Sequence, residues 1–438
     1  MLSFLGVIFV GTVLLMLPIS SAEKEFTPFI DALFTATTST CVTGLVTVPT
    51  YSHWSLFGHI VILLLIQIGG LGIITLMSCF AFFLHKKIGL SDRILLQDAF
   101  NLNSLSGLTS FVKKVVAGTF VVEGIGALLY MTVFVPDFGL KGIWISVFNS
   151  VSAFCNAGID IFAPDSLCRY VHNPIVNLVT CLLITIGGIG FIVWWDVLRV
   201  LKAGKKRKLK LFSSLTLHSK IALSTSIILI IVGALLTFAF EYNNPLTMRD
   251  FSLFQKIQAS FFQSVTTRTA GFATIPQENL SSGSALTSLV LMFTGGSPVG
   301  TAGGIKTVTL TVLLASAIAS VKNENNVSLF NRTVGAKAVS KSVAVTVTAF
   351  AIMLFSTLLL SAVTDADFLD IIYETVSATA TVGLTRNLTP QLNTVGKLII
   401  ILTMYLGRVG PISLAVALNL KKDNKNIIKN PTEDISVG

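Results

Sequence analysis

The chain has 438 residues, of which 53% are hydrophobic and only 12% are charged, with a formal net charge of +10. Soluble domains carry about 25% charged residues, so this composition excludes a large soluble protein. Several apolar runs of about 18 residues or more indicate an all-α, polytopic membrane protein.

Eight apolar runs predict membrane-spanning helices, arranged as four pairs. In chain order they cover residues 2–20 and 54–84, 111–135 and 174–200, 217–240 and 284–320, and 341–363 and 394–420. A cleaved signal peptide has positive charges in front of its apolar run, and none precedes the first run. We therefore expect the chain to start with a transmembrane helix.

A shorter amphipathic stretch lies between the two members of each pair. The four stretches are residues 26–40, 142–154, 255–267 and 367–379. They are too short and too polar to cross a bilayer, but they can enter it as half-helices if protein and water surround them. We therefore predict four re-entrant helices.

A short loop follows each re-entrant helix, and the four loops share one pattern. They are Cys41-Val42-Thr43-Gly44-Leu45, Cys155-Asn156-Ala157-Gly158-Ile159, Arg268-Thr269-Ala270-Gly271-Phe272 and Ala380-Thr381-Val382-Gly383-Leu384. Their glycines recur at intervals of 114, 113 and 112 residues. Ten residues before each glycine stands an aromatic residue, namely Phe34, Phe148, Phe261 and Tyr373.

A period this regular indicates four copies of one structural unit. We predict four helix–re-entrant loop–helix repeats, with eight transmembrane helices around one central pore of pseudo-fourfold symmetry. The predicted repeats cover residues 1–98, 99–210, 211–335 and 336–420, and a cytoplasmic tail covers 421–438.

Basic residues follow the second helix of each pair. They lie at His85–Lys87, Lys205–Lys210, Lys322–Lys341 and Lys421–Lys429, whereas the loop-bearing segments carry acidic residues. The positive-inside rule places the basic stretches and the termini in the cytoplasm and the loops on the outer side. The net positive charge then reflects topology and contact with anionic lipid, and we expect no nucleic-acid partner.

The loops have the composition of a cation filter. A small ion loses its hydration shell only where oxygens of the pore replace the water. Extended backbone can present carbonyl oxygens to an axis, and glycine permits unusual dihedral angles without blocking the path. Since no loop contains a carboxylate, we expect main-chain carbonyls to be the ligands. The predicted filter residues are Cys41, Val42, Thr43, Gly44, Cys155, Asn156, Ala157, Gly158, Arg268, Thr269, Ala270, Gly271, Ala380, Thr381, Val382 and Gly383.

These four loops, in register along nearly the whole chain, resemble those of the Trk/Ktr/HKT potassium transporter superfamily, and of the membrane subunit of bacterial Ktr uptake systems in particular. The resemblance implies one selectivity filter, potassium as the substrate and sodium dependence. It also implies a plasma-membrane homodimer on a ring of cytosolic, KtrA-like nucleotide-binding subunits. ATP or ADP would bind that ring, and this chain would need no cofactor. Residues 199–220, residues 321–341 and the tail after Leu420 are the expected contact sites.

The second span of the third repeat is interrupted by five glycines and a proline between residues 295 and 304. Unwound backbone at membrane depth is tolerated where it lines a cavity or is buried in protein. We predict a mobile gate across the pore below the filter, as the resemblance also implies, and a structural kink is the alternative. The predicted gate residues are Gly295, Gly296, Ser297, Gly300, Thr301, Gly303, Gly304 and Lys306.

Several charged residues lie within the predicted membrane segments. Arg408 is in the middle of the last span, and an intramembrane arginine is expected to face a pore or a partner. We predict that it lies near the gate and forms a barrier to cations, with a purely structural pairing as the alternative. The same two alternatives hold for Lys306. Arg268 is predicted to hold its loop through Glu374, and Glu123 to be a packed, hydrogen-bonded helix residue.

Two glycine motifs, Gly69-Gly70-Leu71-Gly72 and Gly187-Gly188-Ile189-Gly190, are predicted to begin matching helices and to allow close helix packing. A carrier for an organic solute would have inverted repeats, whereas these repeats are parallel. An enzyme is disfavoured because the five histidines are dispersed and form no H-E-x-x-H motif.

Overall fold

The computed structural model describes residues 2–72, 108–202, 212–324 and 326–410. This part of the chain is mostly helical, and its only strands form a hairpin of β1 (Ser328–Leu329) with β2 (Arg332–Thr333). The helical architecture agrees with the all-α membrane fold predicted from the sequence.

Fifteen α-helices lie within the described residues. The first group is α1 (Leu2–Met16), α2 (Phe29–Cys41), α3 (Thr50–His53) and α4 (Leu56–Leu71). The second is α5 (Leu108–Phe138), α6 (Lys141–Cys155), α7 (Pro174–Gly188) and α8 (Phe191–Lys202). The third is α9 (Leu217–Glu241), α10 (Leu253–Thr266), α11 (Ser282–Phe293) and α12 (Thr307–Val321). The last is α13 (Ala336–Ser361), α14 (Phe368–Ala380) and α15 (Thr394–Val409).

Three helices in the described part of the chain are each long and apolar enough to cross a membrane. They are residues Ser110–Phe138 of α5, together with α9 and α13. The pair α7 and α8 also passes this test but bends by 97° at its break, and α1, α4, α11 and α12 are shorter apolar helices. Several apolar helices of this kind fit a multi-pass membrane protein.

Four helices, α2, α6, α10 and α14, match the predicted re-entrant stretches to within about three residues at each end. Their polar side chains are tolerated inside the protein because many of them bond to the main chain of their own helix. Ser39 Oγ donates to Thr35 O at 2.7 Å, for example, and Thr375 Oγ1 donates to Ile371 O at 3.1 Å. The C-terminal half of each of these helices is mostly buried, whereas residues near their starts are exposed, such as Phe29, Leu253 and Phe368.

The two glycine motifs end helices, so the prediction that they begin helices is wrong. The first motif ends α4 at Leu71, and the second ends α7 at Gly188. The predicted continuous span 174–200 is consequently broken. Gly190 has φ +94° there, and a Cβ on it would collide with the carbonyl oxygen of Pro298. The helix is interrupted where the main chain of Pro298 packs against Gly190. Sequence periodicity gives no information about such a contact.

Some predictions concern residues outside the described ranges. They are the parts of two spans at 73–84 and 411–420, the basic stretches His85–Lys87 and Lys205–Lys210, and the tail 421–438.

Candidate functional site

The chain reverses direction after each re-entrant helix through a residue in the left-handed conformation. This residue stands two positions before the glycine in all four loops, and its φ is 56° at Val42, 60° at Asn156, 69° at Thr269 and 51° at Thr381. The glycines themselves also have positive φ, namely 103° at Gly44, 64° at Gly158, 85° at Gly271 and 101° at Gly383. The four loops thus have positive φ at the same two positions, and at the second of them glycine adopts such angles readily.

The four glycines lie in one closed ring. A Cβ on Gly44 would lie 2.5 Å from Ala157 O, and a Cβ on Gly158 would lie 2.5 Å from Ala270 O. A Cβ on Gly271 would similarly collide with Val382 O, and one on Gly383 with Thr43 O. The carbonyl oxygen that precedes each glycine therefore lies against the glycine of the adjacent loop. The ring closes in chain order around one centre, and it leaves no room for a side chain.

A hydroxyl group from each re-entrant helix supports the loop that follows it. Thr38 Oγ1 accepts from Gly44 N and Ser377 Oγ accepts from Gly383 N, both at 3.0 Å. Ser152 Oγ donates to Ile159 O, and Thr266 Oγ1 donates to Phe272 O, both at 2.6 Å. Sequence analysis missed these residues. Their signal is a serine or threonine six residues before the glycine in three repeats and five residues before it in the third.

The third repeat differs in register by one residue. Phe262 is fully buried, whereas Phe261 is 44% exposed, so the assignment of Phe261 as the equivalent aromatic residue is wrong. α10 ends at Thr266, and its capping residue Thr267 has right-handed helical dihedral angles. Residues 267–269 therefore separate the end of this helix from Ala270 and Gly271. A register shift of this kind can be seen only in the folded backbone.

Arg268 lies in the turn between α10 and Gly271, and it does not bind Glu374 as predicted. Its guanidinium is buried and donates to Ser226 Oγ at 3.2 Å and to Gly295 O at 3.4 Å. Glu374 instead accepts hydrogen bonds from the hydroxyls of Thr385 and Thr389, in the outer loop of its own repeat. The two side chains therefore extend toward opposite sides of the ring.

A cavity of about 460 Å³ borders all four glycines on the side of the loops that follow them. Three carboxylates, Asp160, Asp165 and Glu278, line it, and no lysine or arginine does so among the described residues. Burial is the main reason that the pKa of Asp160 is raised to about 7, and Asp165 adds to this shift. A cavity lined by one sign of charge raises the local concentration of counter-ions, which here are cations.

Residues 294–306, between α11 and α12, form an unwound segment, as the glycine content predicted. Its two ends come together, because Ile305 N donates to Phe293 O at 3.1 Å and Thr307 N donates to Gly296 O at 3.0 Å. The segment therefore forms a closed loop and not a simple kink between two collinear helices.

The unwound segment lies against the inner ends of three re-entrant helices. Gly303 N donates to Thr269 Oγ1 at 3.1 Å in the third repeat. Thr301 Oγ1 donates to Phe154 O at 3.0 Å in the second. In the fourth repeat, a Cβ on Gly303 would collide with the hydroxyl of Thr381. The segment is thus packed under the ring, on the face opposite the acidic cavity.

The break between α7 and α8 exchanges main-chain hydrogen bonds with the unwound segment. Ser297 N donates to Gly188 O at 2.8 Å, and Phe191 N donates to Val299 O at 2.8 Å. Buried backbone groups need hydrogen-bond partners. Two interrupted helices therefore satisfy each other's main chains at this point.

Arg408 and Lys306 bind carbonyl oxygens of the unwound segment. Arg408 donates to Thr301 O at 2.7 Å and to Gly69 O of α4 at 2.5 Å. Lys306 Nζ donates to Ala302 O at 2.6 Å and more weakly to the next carbonyl at 3.3 Å. Arg408 therefore lies at the segment, as predicted, and it also connects the segment to α4.

Glu123 is buried in α5 and accepts a hydrogen bond from Gln67 Nε2 at 3.2 Å. Cys155 lies near the same carboxylate, with its sulfur 3.9 Å from Oε1. These contacts agree with the predicted packed, hydrogen-bonded role.

Comparison with known proteins gives one family. Residues 3–429 match the family model described as "TrkH: Cation transport protein". The Ktr system potassium uptake protein B of Bacillus subtilis is 40% identical, and the alignment covers 100% of this chain and 95% of that protein. The potassium/sodium uptake protein NtpJ of Enterococcus hirae is 39% identical over 99% of this chain and 95% of its own length.

The fold is also similar to a solved structure. The crystal structure of the potassium transporter TrkH from Vibrio parahaemolyticus matches with a TM-score of 0.74 at 16% sequence identity, covering 95% of this chain and 84% of that one. An identity this low supports the fold alone. The family match and the two relatives confirm the resemblance drawn from the glycine loops.

Proposed function

We propose, from the premise that this chain belongs to the TrkH family of cation transport proteins, that it takes up potassium ions through the ring of four glycines. The chain is a membrane transporter and not an enzyme. The observation that carries the proposal is the closed arrangement in which each glycine lies against a carbonyl oxygen of the adjacent loop.

Main-chain oxygens suit a monovalent cation. A ring of carbonyl dipoles replaces hydration oxygens without the full charge of a carboxylate, so that an ion can both enter and leave. The carbonyls of Thr43, Ala157, Ala270 and Val382 are the proposed ligands at the level of the ring. The acidic cavity outside it would supply cations, and the four hydroxyls of the re-entrant helices would hold the loops in place.

Potassium is proposed as the ion because the names of two relatives include potassium. The Bacillus subtilis relative is a potassium uptake protein, and the Enterococcus hirae relative is a potassium/sodium uptake protein. The second name also supports a part for sodium, either as a co-ion or as an activator. One glycine per loop, compared with two in tetrameric potassium channels, further suggests modest discrimination between the two ions.

The unwound segment is proposed as the gate. It packs under the ring, and three cationic side chains, Arg268, Lys306 and Arg408, donate to its carbonyl oxygens. A segment without helical hydrogen bonds of its own can move at lower cost than a helix, because separate contacts with the ring, with the α7–α8 break and with these side chains hold it in place. Arg408 would in addition repel cations that pass the ring.

The proposed assembly is a homodimer, with one pore per protomer, in a bacterial plasma membrane. Basic segments at 199–220, at 321–341 and after Leu420 would face the cytoplasm and contact a KtrA-like ring that binds ATP or ADP. The word "system" in the names of relatives supports such a partner. The four predicted repeat boundaries belong to this same proposal.

The decisive experiment is potassium uptake in a transport-deficient bacterial cell. Wild type should restore uptake, Gly271→Ser should abolish it because a side chain fills the ring, and deletion of residues 295–304 should raise it. Wild-type protein in the membrane without potassium uptake would refute the transport proposal. A deletion variant that is present in the membrane with unchanged uptake would refute the gate and leave the filter standing.

A further inference from the structure

Thr269 joins the third glycine loop to the unwound segment by a hydrogen bond. Its side chain is completely buried, and its Oγ1 accepts from the N–H of Gly303 at 3.1 Å. Thr269 lies two residues before Gly271 in the ring. The bond therefore connects the backbone of the ring, through one side chain, with Gly303 of the segment proposed as the gate.

The equivalent residues of the other loops show that this hydroxyl is not needed to build the loop. All four positions have φ between 51° and 69°, although Val42 has no polar atom. The side-chain polar atoms of Asn156 and Thr381 are buried and have no hydrogen-bond partner among the described residues. Of the four described residues, Thr269 alone binds the unwound segment through a side-chain hydrogen bond. This bond therefore joins the loop to the segment and is not needed to form the turn of the loop.

The three residues 301–303 are held by several different side chains. Arg408 binds the carbonyl of Thr301, and Lys306 binds the carbonyls of Ala302 and Gly303. Both of these side chains can rotate about long, flexible stems. Thr269, by contrast, binds an N–H group, and its short side chain is fixed by the loop backbone. A movement of the segment away from the ring must break this bond.

We propose that Thr269 is a latch, a positioning residue that holds the gate closed against the filter. This inference rests on the proposed function of the unwound segment. Without the hydroxyl, the buried N–H of Gly303 has no partner in the closed position, whereas in a displaced position water can bind it. An unpaired buried donor is costly. Because this cost falls on the closed state alone, the population shifts toward the displaced, open state.

The test is rubidium uptake by the full chain in proteoliposomes, at matched protein amounts. Thr269→Val keeps the shape and removes the hydroxyl, and valine already tolerates a positive φ at the equivalent Val42. The loss of one hydrogen bond to a buried donor corresponds to roughly a tenfold shift of the gating equilibrium, so we expect uptake to rise several-fold. Thr269→Ser should keep the wild-type rate because it retains the hydroxyl.

Thr267→Val is the matched control. Thr267 is buried in the same turn, but its hydroxyl donates to Ser264 O of its own helix at 3.0 Å. This variant should retain wild-type uptake. The ratio of rubidium to sodium uptake should be the same in all these proteins, because the latch acts below the ring.

Uptake by Thr269→Val at or below the wild-type rate would overturn the latch. A changed rubidium-to-sodium ratio in that variant would also overturn it, because Thr269 would then support the filter itself. These results differ from failure of the proposed function. In that case wild type carries no rubidium, or deletion of residues 295–304 leaves the rate unchanged.

Discussion

The two faces of the glycine ring differ in charge and in packing. The outer face opens into a cavity of about 460 Å³ that is lined by three carboxylates. The inner face is covered by the unwound segment, and the charged side chains that bind this segment are Arg268, Lys306 and Arg408. The ring itself is nearly fourfold symmetric, whereas its two faces are not alike.

This difference indicates which part of the molecule performs which task. Attraction of cations needs only negative charge in an open space, and the outer loops provide it. In the proposed function, obstruction needs a segment packed under the ring, and among the described residues the third repeat supplies it. The four similar loops thus form a nearly symmetric ring. The unwound segment between α11 and α12 makes the inner face different from the outer face. Substitutions in the ring and on each face can test this division.

The largest effect is expected in the ring. Gly383→Ala places a methyl group against the carbonyl oxygen of Thr43 at a residue whose φ is +101°. Unfavourable backbone conformations cost about 1–3 kcal/mol each, and the collision adds to that cost. Potassium uptake should fall at least roughly tenfold.

Gly124→Ala is the control for this substitution, because a Cβ on Gly124 in α5 has open space around it. Its uptake should match wild type, since alanine is favoured over glycine in a helix. Equal loss in both variants, at equal amounts in the membrane, would show that the ring geometry is not what uptake requires.

A smaller effect is expected on the inner face. Arg408→Gln loses the charge and cannot keep both hydrogen bonds, to Thr301 O and to Gly69 O. Hydrogen bonds from charged groups contribute about 1.5–3 kcal/mol. The segment should therefore be displaced more often, and rubidium uptake into proteoliposomes should rise severalfold.

Arg249→Gln serves as the control for Arg408, because Arg249 is an exposed residue of an outer loop. It should leave the uptake rate unchanged. If Arg408→Gln transports at the wild-type rate and with wild-type affinity, neither the positive charge of Arg408 nor its hydrogen bonds to the segment has a role in gating.

The smallest effect is expected on the outer face and depends on pH. Because the pKa of Asp160 is raised to about 7, its carboxyl group is charged above neutral pH and becomes neutral as the pH falls below it. Initial uptake at low potassium should therefore decrease modestly, about twofold or threefold, between pH 8 and pH 6 at low ionic strength.

Asp160→Asn should show the low rate at both pH values, and this is the measurement that isolates the charge. Added salt at constant potassium should reduce the difference between variant and wild type, because salt ions that enter the open cavity screen its charge. A wild-type pH dependence in the variant would assign the titration to another group.

The amino-acid sequence by itself determined the membrane class, the re-entrant helices and the four glycine loops. Each of these depends on residues that are close in the chain: an apolar run, an amphipathic stretch, and a glycine where the backbone needs positive φ. The fourfold spacing then implied one ring, and the unwound segment followed from its five glycines and its proline.

Only the tertiary structure decided the register of the third repeat, the break between α7 and α8, and the partners of the buried charges. Arg408 binds Gly69, which is 339 positions away in the chain, and Arg268 binds Ser226 and Gly295 instead of Glu374. A buried charged side chain bonds to whichever carbonyl the folded backbone brings within reach. Local sequence patterns carry no information about that distance, so these partners could not be predicted.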